Sequence, residues 1–249
     1  MSIGGMTIKK SMDLKDYEQQ GDIKHFWHLA RLELLAWLIN KIPGDNLNIA
    51  SVGSGTGEEL RLLTKRGTVI GWDINANAIA LAKQLGFDIK NFDISHQVPS
   101  DNYDLVCAFD VLEHIKNDIQ TLNNIQACLK PNGYLLLTVP AHPWLFSAHD
   151  QALEHERRYS RSDLIKKIQT AGFQIETVGY WNAWLFPLVA IIRLIKKIFP
   201  PKNIKSEAGH LPHIINQIGL AILRLENYLI AKKFKLPMGL SIYVVAKKI

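Results

Sequence analysis

The feature that most constrains the fold is a run of three glycines at alternate positions, placed between an apolar segment and a helix-forming one. The apolar segment ends at Val52, residues 53–57 read Gly-Ser-Gly-Thr-Gly, and the helix-forming segment begins at Glu58. This order predicts a strand, a tight turn and a helix. Glycine lets such a turn adopt positive φ and lets its backbone approach a ligand closely. The stretch therefore predicts a ligand-binding turn within a βαβ unit.

An acidic residue follows at a spacing that suits a nucleoside ligand. A second apolar run ends in Asp73, twenty positions after Gly53. In a βαβ unit this spacing puts the carboxylate at the tip of the second strand, beside the glycine turn. There it can accept hydrogen bonds from both hydroxyls of a ribose.

The residues that open the helix indicate which nucleoside ligand fits. A dinucleotide site would have its third glycine at position 58, whereas this chain has Gly57 followed by Glu58 and Glu59. Two carboxylates at a helix start would repel a pyrophosphate, which otherwise binds the amides there. A ligand with a ribose and a cationic centre but no phosphate, such as S-adenosylmethionine, fits better. A nicotinamide-dependent oxidoreductase of Rossmann type stays the alternative.

The complete set of motifs resembles a known family. The glycine turn followed by Asp73 resembles the first two motifs of class I S-adenosylmethionine-dependent methyltransferases. The segments 91–94, 103–114 and 129–140 resemble the third-strand motif, the fourth-strand motif and the turn with the fifth strand. The resemblance covers roughly residues 45–180. It extends to a bacterial subgroup similar to ubiquinone-pathway O-methyltransferases.

The regular βα alternation and the resemblance together predict the fold. It is an α/β fold with a Rossmann-like, seven-stranded, mostly parallel sheet, helices on both faces, an antiparallel last strand and a helical insert before that strand. We expect an N-terminal helical cap (1–44), a methyltransferase core (45–181 and 240–249) and a basic amphipathic insert (182–239). Strands are predicted near 47–52, 69–73, 88–92, 104–109, 133–139, 173–180 and 240–246. Helices are predicted near 22–41, 57–66, 75–85, 111–129 and 161–171.

The resemblance implies S-adenosyl-L-methionine as the cofactor and assigns the residues that bind it. The acid of the third-strand motif, Asp93, is implied as the partner of the adenine amino group. The cofactor-binding residues implied in this way are Gly53, Ser54, Gly55, Gly57, Asp73, Ile74, Asp93, Ile94, Phe109 and Asp110.

The catalytic candidates lie mainly in the loop 140–159, which follows the fifth strand and is rich in polar and aromatic residues. A hydroxyl acceptor must lose its proton as it attacks the methyl group, and histidine is the usual base near neutral pH. The candidates are His149, His142, His155 and Asp110, with His149 preferred because Asp150 could orient it. The alternative is a structural lid held down by Arg158 and Tyr159. No metal site is predicted, although His149, Asp150 and His155 leave one open.

Charge is divided unevenly along the chain. Residues 1–180 hold 18 Lys/Arg and 21 Asp/Glu, whereas residues 181–249 hold 11 Lys/Arg and 2 Asp/Glu. A nucleic-acid enzyme would carry its basic residues around the active-site mouth, so no nucleic-acid partner is expected. The basic, apolar tail favours peripheral contact with an anionic membrane through 185–199.

The insert is predicted to contain two helices. The first is too short to span a bilayer, at roughly 20 Å against ~30 Å of hydrocarbon. It would place Arg193, Lys196 and Lys197 on one face, and a second helix near 213–233 would pack against it. Packing of the first helix on its own domain is the alternative to membrane contact.

These observations predict an S-adenosylmethionine-dependent O-methyltransferase that acts on a small or lipid-linked acceptor. Cys107 and Cys128 show no pairing or metal spacing, and the N-terminus has no signal-peptide pattern, so a cytoplasmic location is expected, with the inner face of the membrane as a further possibility. A non-catalytic, membrane-associated cofactor-binding module is a second alternative.

Overall fold

A seven-stranded sheet forms the centre of the molecule. The computed structural model describes residues 25–100, 102–198 and 212–249, with the side chains of 196–198 outside this description. The strands are β1 (Leu47–Val52), β2 (Gly67–Asp73), β3 (Ile89–Asn91), β4 (Tyr103–Phe109), β5 (Leu129–Pro140), β6 (Phe173–Trp181) and β7 (Ser241–Lys248). The sheet order is β3-β2-β1-β4-β5-β7-β6, and β7 runs antiparallel to both β5 and β6. The predicted fold class is therefore confirmed.

Helices cover both faces of the sheet. The helices are α1 (Phe26–Ile39), α2 (Leu60–Leu63), α3 (Ala76–Gln84), α4 (Asp118–Cys128), α5 (Ala148–Ala152), α6 (Arg161–Thr170), α7 (Phe186–Ile198) and α8 (His213–Ala231). One core packs α1, α2, α3 and α8 against the sheet, and the other packs α4 and α6 against the opposite face. Central strands buried on both faces explain the near-continuous apolar runs of β1, β4 and β5.

Two predicted helices are shorter in the structure. The segment predicted as 57–66 is helical only in α2, because the glycine turn continues through three-residue hydrogen bonds such as Leu60 N–H to the Gly57 carbonyl. The segment predicted as 111–129 divides into a 3₁₀ turn, Leu112–His114, and α4. Ile115 is extended, and the Asn117 side chain then accepts from the Gln120 amide and starts a new helix.

The second helix of the insert packs mainly on the N-terminal helix, so the predicted packing against α7 is wrong. The Phe26 amide donates to the Asn216 side chain, and Asn227 donates to the Ala30 carbonyl. Gly219 lies so close to the Phe26 ring that a Cβ there would be 2.8 Å from it. These contacts hold α1 and α8 together over one face of the sheet.

The first insert helix contacts its own domain through one of its three predicted cations. Arg193 points inward, and its guanidinium lies 3.0 Å from the Asp150 carboxylate, as the alternative of packing on the domain expects. Lys196 and Lys197 of the same predicted face have side chains outside the described residues. Leu188, Ile191 and Ile195 are exposed. Within the described ranges, every helix is too short or too polar to cross a membrane.

Candidate functional site

The glycine turn has two tightly packed positions and one open position. Gly53, Gly55 and Gly57 all have positive φ. A Cβ on Gly53 would be 2.6 Å from Val111, and one on Gly57 would be 2.5 Å from Phe87, so packing as well as conformation requires glycine there. A Cβ on Gly55 would meet nothing within 4 Å. The face of the turn above Gly55 is therefore open to a ligand.

Asp73 lies beside this open face, as its spacing predicts. One carboxylate oxygen accepts from the Gly55 amide and the other from the Asn75 amide, both at 2.7 Å. A carboxylate oxygen has two lone pairs, so each keeps an acceptor site for a ribose hydroxyl. Ile74 is 68% exposed at the same edge, where an apolar side chain could cover a planar base.

The third-strand motif lies at the next strand end. The Asp93 carboxylate accepts from the Ser95 amide and hydroxyl and contacts the His96 ring at 2.8 Å. Partial burial opposes ionisation, but these hydrogen bonds outweigh it and lower the pKa of Asp93. Asp93 is therefore an ionised acceptor, with the buried Ile94 beside it.

A buried arginine joins α1 to the same edge. Arg31 donates to the Glu59 carboxylate at 2.6 Å and to Asp110 at 2.8 Å. Burial would raise the pKa of Glu59, but the Arg31 charge outweighs it and the pKa is lowered. His28 lies against Glu58 in the same region. Both acids at the start of α2, Glu58 and Glu59, therefore contact basic residues of α1. Local sequence patterns do not reveal this role.

Asp110 directly follows the buried Phe109, the last residue of β4, and adopts a left-handed backbone conformation. Its φ is +57°, and its amide donates to the Thr138 carbonyl of β5. This geometry turns the chain out of the sheet towards the glycine turn. The residues of the predicted cofactor set therefore lie at or just beyond the carboxyl ends of β1 to β4, at one edge of the sheet.

The loop after β5 is held by a buried acid. Asp150 accepts from the Arg158 guanidinium at 2.6 Å, from Arg193 at 3.0 Å and from the Ser147 amide at 2.9 Å. Tyr159 donates its hydroxyl proton to Asp118 at 2.8 Å, and the hydroxyl oxygen lies 3.1 Å from the Leu112 carbonyl. The expectation that Arg158 and Tyr159 hold this loop down is met by these contacts.

The three candidate histidines of the loop have different surroundings. Asp150, the acid expected to orient His149 on α5, contacts the ring of His155 at 3.3 Å. His142 stacks on Tyr180 with 5.4 Å between ring centroids and packs against Phe186 at 5.0 Å. Burial lowers the pKa of His142, and the positive charge of Arg158 acts in the same direction. His142 is therefore neutral near pH 7.

A further group lies between β4 and the loop. Glu113 and His114 of the 3₁₀ turn meet His155, and the His114 and His155 rings contact edge-to-face at 4.6 Å. Glu113 is fully buried, which strongly raises its pKa, and neighbouring Asp110 raises it further. His114 was not among the predicted site residues. The only signal near His114 in the sequence is the preceding acid, Glu113, because the ring that His114 contacts, His155, lies 41 positions further along the chain.

The sequence of this chain matches a known protein family. A family model described as a methyltransferase domain matches residues 21–178. The chain belongs to this family. Its sheet order and motif set are those of the class I, S-adenosylmethionine-dependent methyltransferases. Membership of this family favours S-adenosylmethionine over a dinucleotide as the ligand of the glycine turn.

Individual relatives support the same family. The chain is 26% identical over 165 residues to a probable S-adenosylmethionine-dependent methyltransferase of Mycolicibacterium smegmatis, with 64% of each protein covered. It is 29% identical over 107 residues to a ubiquinone biosynthesis O-methyltransferase of Rhodopseudomonas palustris, covering 40% of this chain and 42% of that enzyme. The match thus spans less than two thirds of each relative.

A solved methyltransferase structure shows the same fold. Phosphoethanolamine N-methyltransferase 2 of Haemonchus contortus, in complex with S-adenosyl-L-methionine, superposes with a TM-score of 0.58. The identity is 17%, and the superposition covers 87% of this chain and 52% of that one. At this identity the likeness concerns the fold alone.

The residues at the sheet edge of this methyltransferase-family chain fit the cofactor that the family implies. The face above Gly55 is open, and Asp73 and Asp93 provide carboxylate acceptors of the kind that ribose hydroxyls and an adenine amino group need. The carboxylates of Glu59 and Asp110 share the single positive charge of Arg31, so this pair of acids keeps a net negative charge that suits a cation. Gly55, Asp73, Ile74, Asp93 and Asp110 are therefore the residues that would hold S-adenosylmethionine.

Proposed function

We propose that this chain is an O-methyltransferase that methylates a hydroxyl oxygen of an apolar, aromatic or lipid-linked acceptor. The observation that carries the proposal is the position of the histidine-bearing loop, which follows β5 at the same sheet edge as the glycine turn. Relatives that act in ubiquinone biosynthesis as O-methyltransferases support a hydroxyl acceptor.

The walls of the acceptor region are aromatic. Tyr180, Phe186 and Trp144 surround the His142 ring at centroid distances of 5.0–5.7 Å. Trp144 is partly exposed at the surface of this cluster. Aromatic faces bind flat or apolar ligands well, which supports a phenolic or prenylated acceptor over a small charged one.

The chain's own residues provide alignment and a base. When bound, S-adenosylmethionine would supply a sulfonium-activated methyl group for the acceptor oxygen. Asp73 and Asp93 would hold its nucleoside, and the loop 140–159 would exclude water from the reacting atoms. Because His142 is neutral and its Nε2 is buried with no hydrogen-bond partner among the described residues, it is the base we propose for the hydroxyl proton.

The acceptor test uses labelled methyl transfer. The protein is incubated with methyl-labelled S-adenosylmethionine and a total lipid extract, and we expect label in the organic phase as an alkali-stable ether. His142→Asn should lower kcat by about 100-fold or more, whereas the exposed His213→Asn should leave it unchanged. The wild-type rate should fall as the pH drops below 6.5, since the pKa of His142 lies below that value. Binding of the donor without transfer to any acceptor would favour the non-catalytic module instead.

We also propose that the outer face of α7, within 185–199, rests on an anionic membrane at the cytoplasmic side. The exposed Leu188, Ile191 and Ile195 provide the apolar contact, and the net +9 charge of residues 181–249 provides attraction to anionic lipid. Flotation with vesicles of mixed phosphatidylglycerol and phosphatidylcholine tests this. The pair Ile191→Glu and Ile195→Glu should abolish co-flotation, whereas Ile249→Glu, at another exposed apolar site, should not.

A further inference from the structure

The outer face of α8 carries a regular apolar stripe. Its residues follow one another at alternating steps of four and three, which is the spacing of a coiled-coil seam. They are Ile214, Ile218, Ala221, Leu225 and Tyr228. All five are exposed, and the exposed fraction of the four larger side chains is between 48% and 69%. This spacing puts them on one side of the helix, where a second helix could contact all of them.

The opposite side of α8 is already packed. Gly219, Leu223, Glu226 and Ile230 are buried there, against α1 and the end of β6. A helix that is apolar on both sides is normally buried on both sides, and a contiguous exposed apolar surface marks an interaction site. The α8 stripe is therefore a surface for binding a partner.

The charge pattern of α8 favours a protein partner over a lipid surface. Within α8 the charged residues are Arg224 and Glu226. Glu226 is buried, and Arg224 donates to the Glu33 carboxylate of α1 at 2.6 Å. Helices that bind anionic membranes carry several lysines or arginines beside their apolar face. The α8 stripe lacks such a border, so its partner should be apolar and uncharged along the contact, as α8 itself is.

The stripe is complementary to itself when its direction is reversed. Leu223 marks its middle, with Ala221 and Leu225 two residues before and after it. Ile218 and Tyr228 lie five residues before and after the same point. A twofold axis at this level would set the small Ala221 of one copy against Leu225 of the other, and Ile218 against Tyr228. Each contact would occur twice, and the dipoles of the two helices would be opposed.

We propose that α8 pairs with α8 of a second copy of this chain in an antiparallel homodimer. Each copy would contribute the exposed parts of five large side chains, on the order of 100 Å² each. These are Ile214, Ile215, Ile218, Leu225 and Tyr228. The two copies together would bury roughly 1,000 Å², near the lower limit for a specific interface. We therefore expect a reversible dimer with a Kd on the order of micromolar.

Analytical ultracentrifugation of the full chain tests the pairing at concentrations from about 1 to about 100 μM, around the expected Kd. We expect monomers at the lower end and dimers at the upper end. Ile218→Glu and Leu225→Glu would each put two carboxylates into the apolar contact and should weaken dimerisation by about 100-fold or more. Val98→Glu changes a similarly exposed apolar residue outside α8 and should leave the dimer intact. Thermal unfolding at the lowest concentration verifies that each variant is folded.

Cysteine cross-linking tests the antiparallel direction. Ile218→Cys protein mixed with Tyr228→Cys protein should be joined by a short bismaleimide, because the two positions would lie at the same level. Two copies of either variant alone would have their cysteines about 15 Å apart along the helix axis and should react far less. Cys107 and Cys128 are buried, so the background should be low.

The outcomes decide the occupant of the stripe. A chain that stays monomeric at the highest concentration, or a dimer that both glutamate variants leave intact, overturns the pairing. Cross-linking of Ile218→Cys alone overturns the antiparallel direction. A monomer that floats with vesicles unless Ile218 is changed to Glu overturns the dimer and assigns the stripe to a lipid surface. Methyl transfer enters none of these measurements, so the dimer stands or falls separately from the proposed function.

Discussion

At the residue scale, the Asp73 carboxylate both shapes the glycine turn and presents acceptors to a ligand. It accepts from two backbone amides, Gly55 and Asn75, so the turn and the start of α3 are organised around it. A ligand therefore meets an acceptor that is already oriented, which lowers the entropic cost of binding.

Asp73→Asn should weaken binding of S-adenosylhomocysteine by about 10- to 100-fold. The amide group replaces one charged acceptor with a donor that would face an N–H, and hydrogen bonds to charged groups contribute about 1.5–3 kcal/mol. Calorimetric titration measures the affinity. Asp88→Asn, at an exposed acid outside the site, should bind like wild type, and an unchanged affinity in Asp73→Asn would contradict the assigned role.

A second buried acid, Asp118, joins the end of the loop 140–159 to α6. Asp118 is buried and accepts from Lys167 at 2.7 Å and from Tyr159 at 2.8 Å. Burial alone would raise its pKa, but the hydrogen bonds from Lys167 and Tyr159 outweigh burial and lower it below 3.8. A carboxylate with a lowered folded-state pKa contributes stability that is present above its unfolded value and is lost as the pH falls.

Asp118→Asn should therefore lower the free energy of unfolding by about 1.5–3 kcal/mol near pH 7, because Lys167 and the buried Tyr159 hydroxyl lose a charged hydrogen-bond partner. The difference from wild type should shrink as the pH falls below 3.8. Urea unfolding at pH 7 and pH 3 measures both effects. The more exposed Asp163 lies 3.4 Å from the same Lys167, so Asp163→Asn serves as a matched control that should cost less than about 1 kcal/mol.

Individual pairings were the least predictable aspect of the site. Spacing placed Asp73 beside the glycine turn, because a βαβ unit has few geometries. It could not reveal that Asp150 would contact His155, five positions along the chain, since α5 and the bend after it set the direction of each ring. The partners of Arg31 were equally hidden, because they lie 28 and 79 positions away.

At the element scale, α8 is fixed to the end of β6 by one buried carboxylate. Glu226 is fully buried and accepts from the amides of Ala183 and Trp184 at 2.9 and 3.2 Å. Burial raises its pKa despite these bonds. The contact determines how the chain leaves the sheet towards α7.

Glu226→Gln and Glu226→Ala should differ clearly. Glutamine keeps an acceptor for the two amides and carries no charge that burial disfavours, so we expect a change within about 1 kcal/mol. Alanine leaves both amides without this acceptor and should cost about 2–4 kcal/mol. Chemical denaturation measures the difference, and equal stability of the two variants would contradict the role given to this carboxylate.

Elements with strong local patterns were predictable to within a few residues. β1 matches its predicted bounds, and α3 and α6 are within one residue of theirs. The packing of α8 was not predictable, because its apolar residues have the same helical spacing whichever helix they contact. The contact between Gly219 and Phe26 that decides it joins residues far apart in the sequence.

At the scale of the whole molecule, ligand binding should be visible as stability. A ligand that binds only the folded state at a hundred times its Kd adds about 2.7 kcal/mol. For a chain of this length we expect S-adenosylhomocysteine to raise Tm by about 5–10 °C. Differential scanning fluorimetry tests this, with NADH at the same concentration as the comparison. A shift with NADH alone would contradict the cofactor assigned to the glycine turn.

The Arg193–Asp150 ion pair determines what can be removed from this protein. The region 182–239 looks like an accessory that a shorter relative could lack, yet one of its side chains completes the charge balance of a buried acid in the core. Excising it would leave Asp150 short of a cation and uncover Leu145, which packs with Phe186 and Ala190. The insert is thus not modular. Truncations intended to test it need to keep α7, and grafting it onto another methyltransferase would require an equivalent of Asp150 in the host.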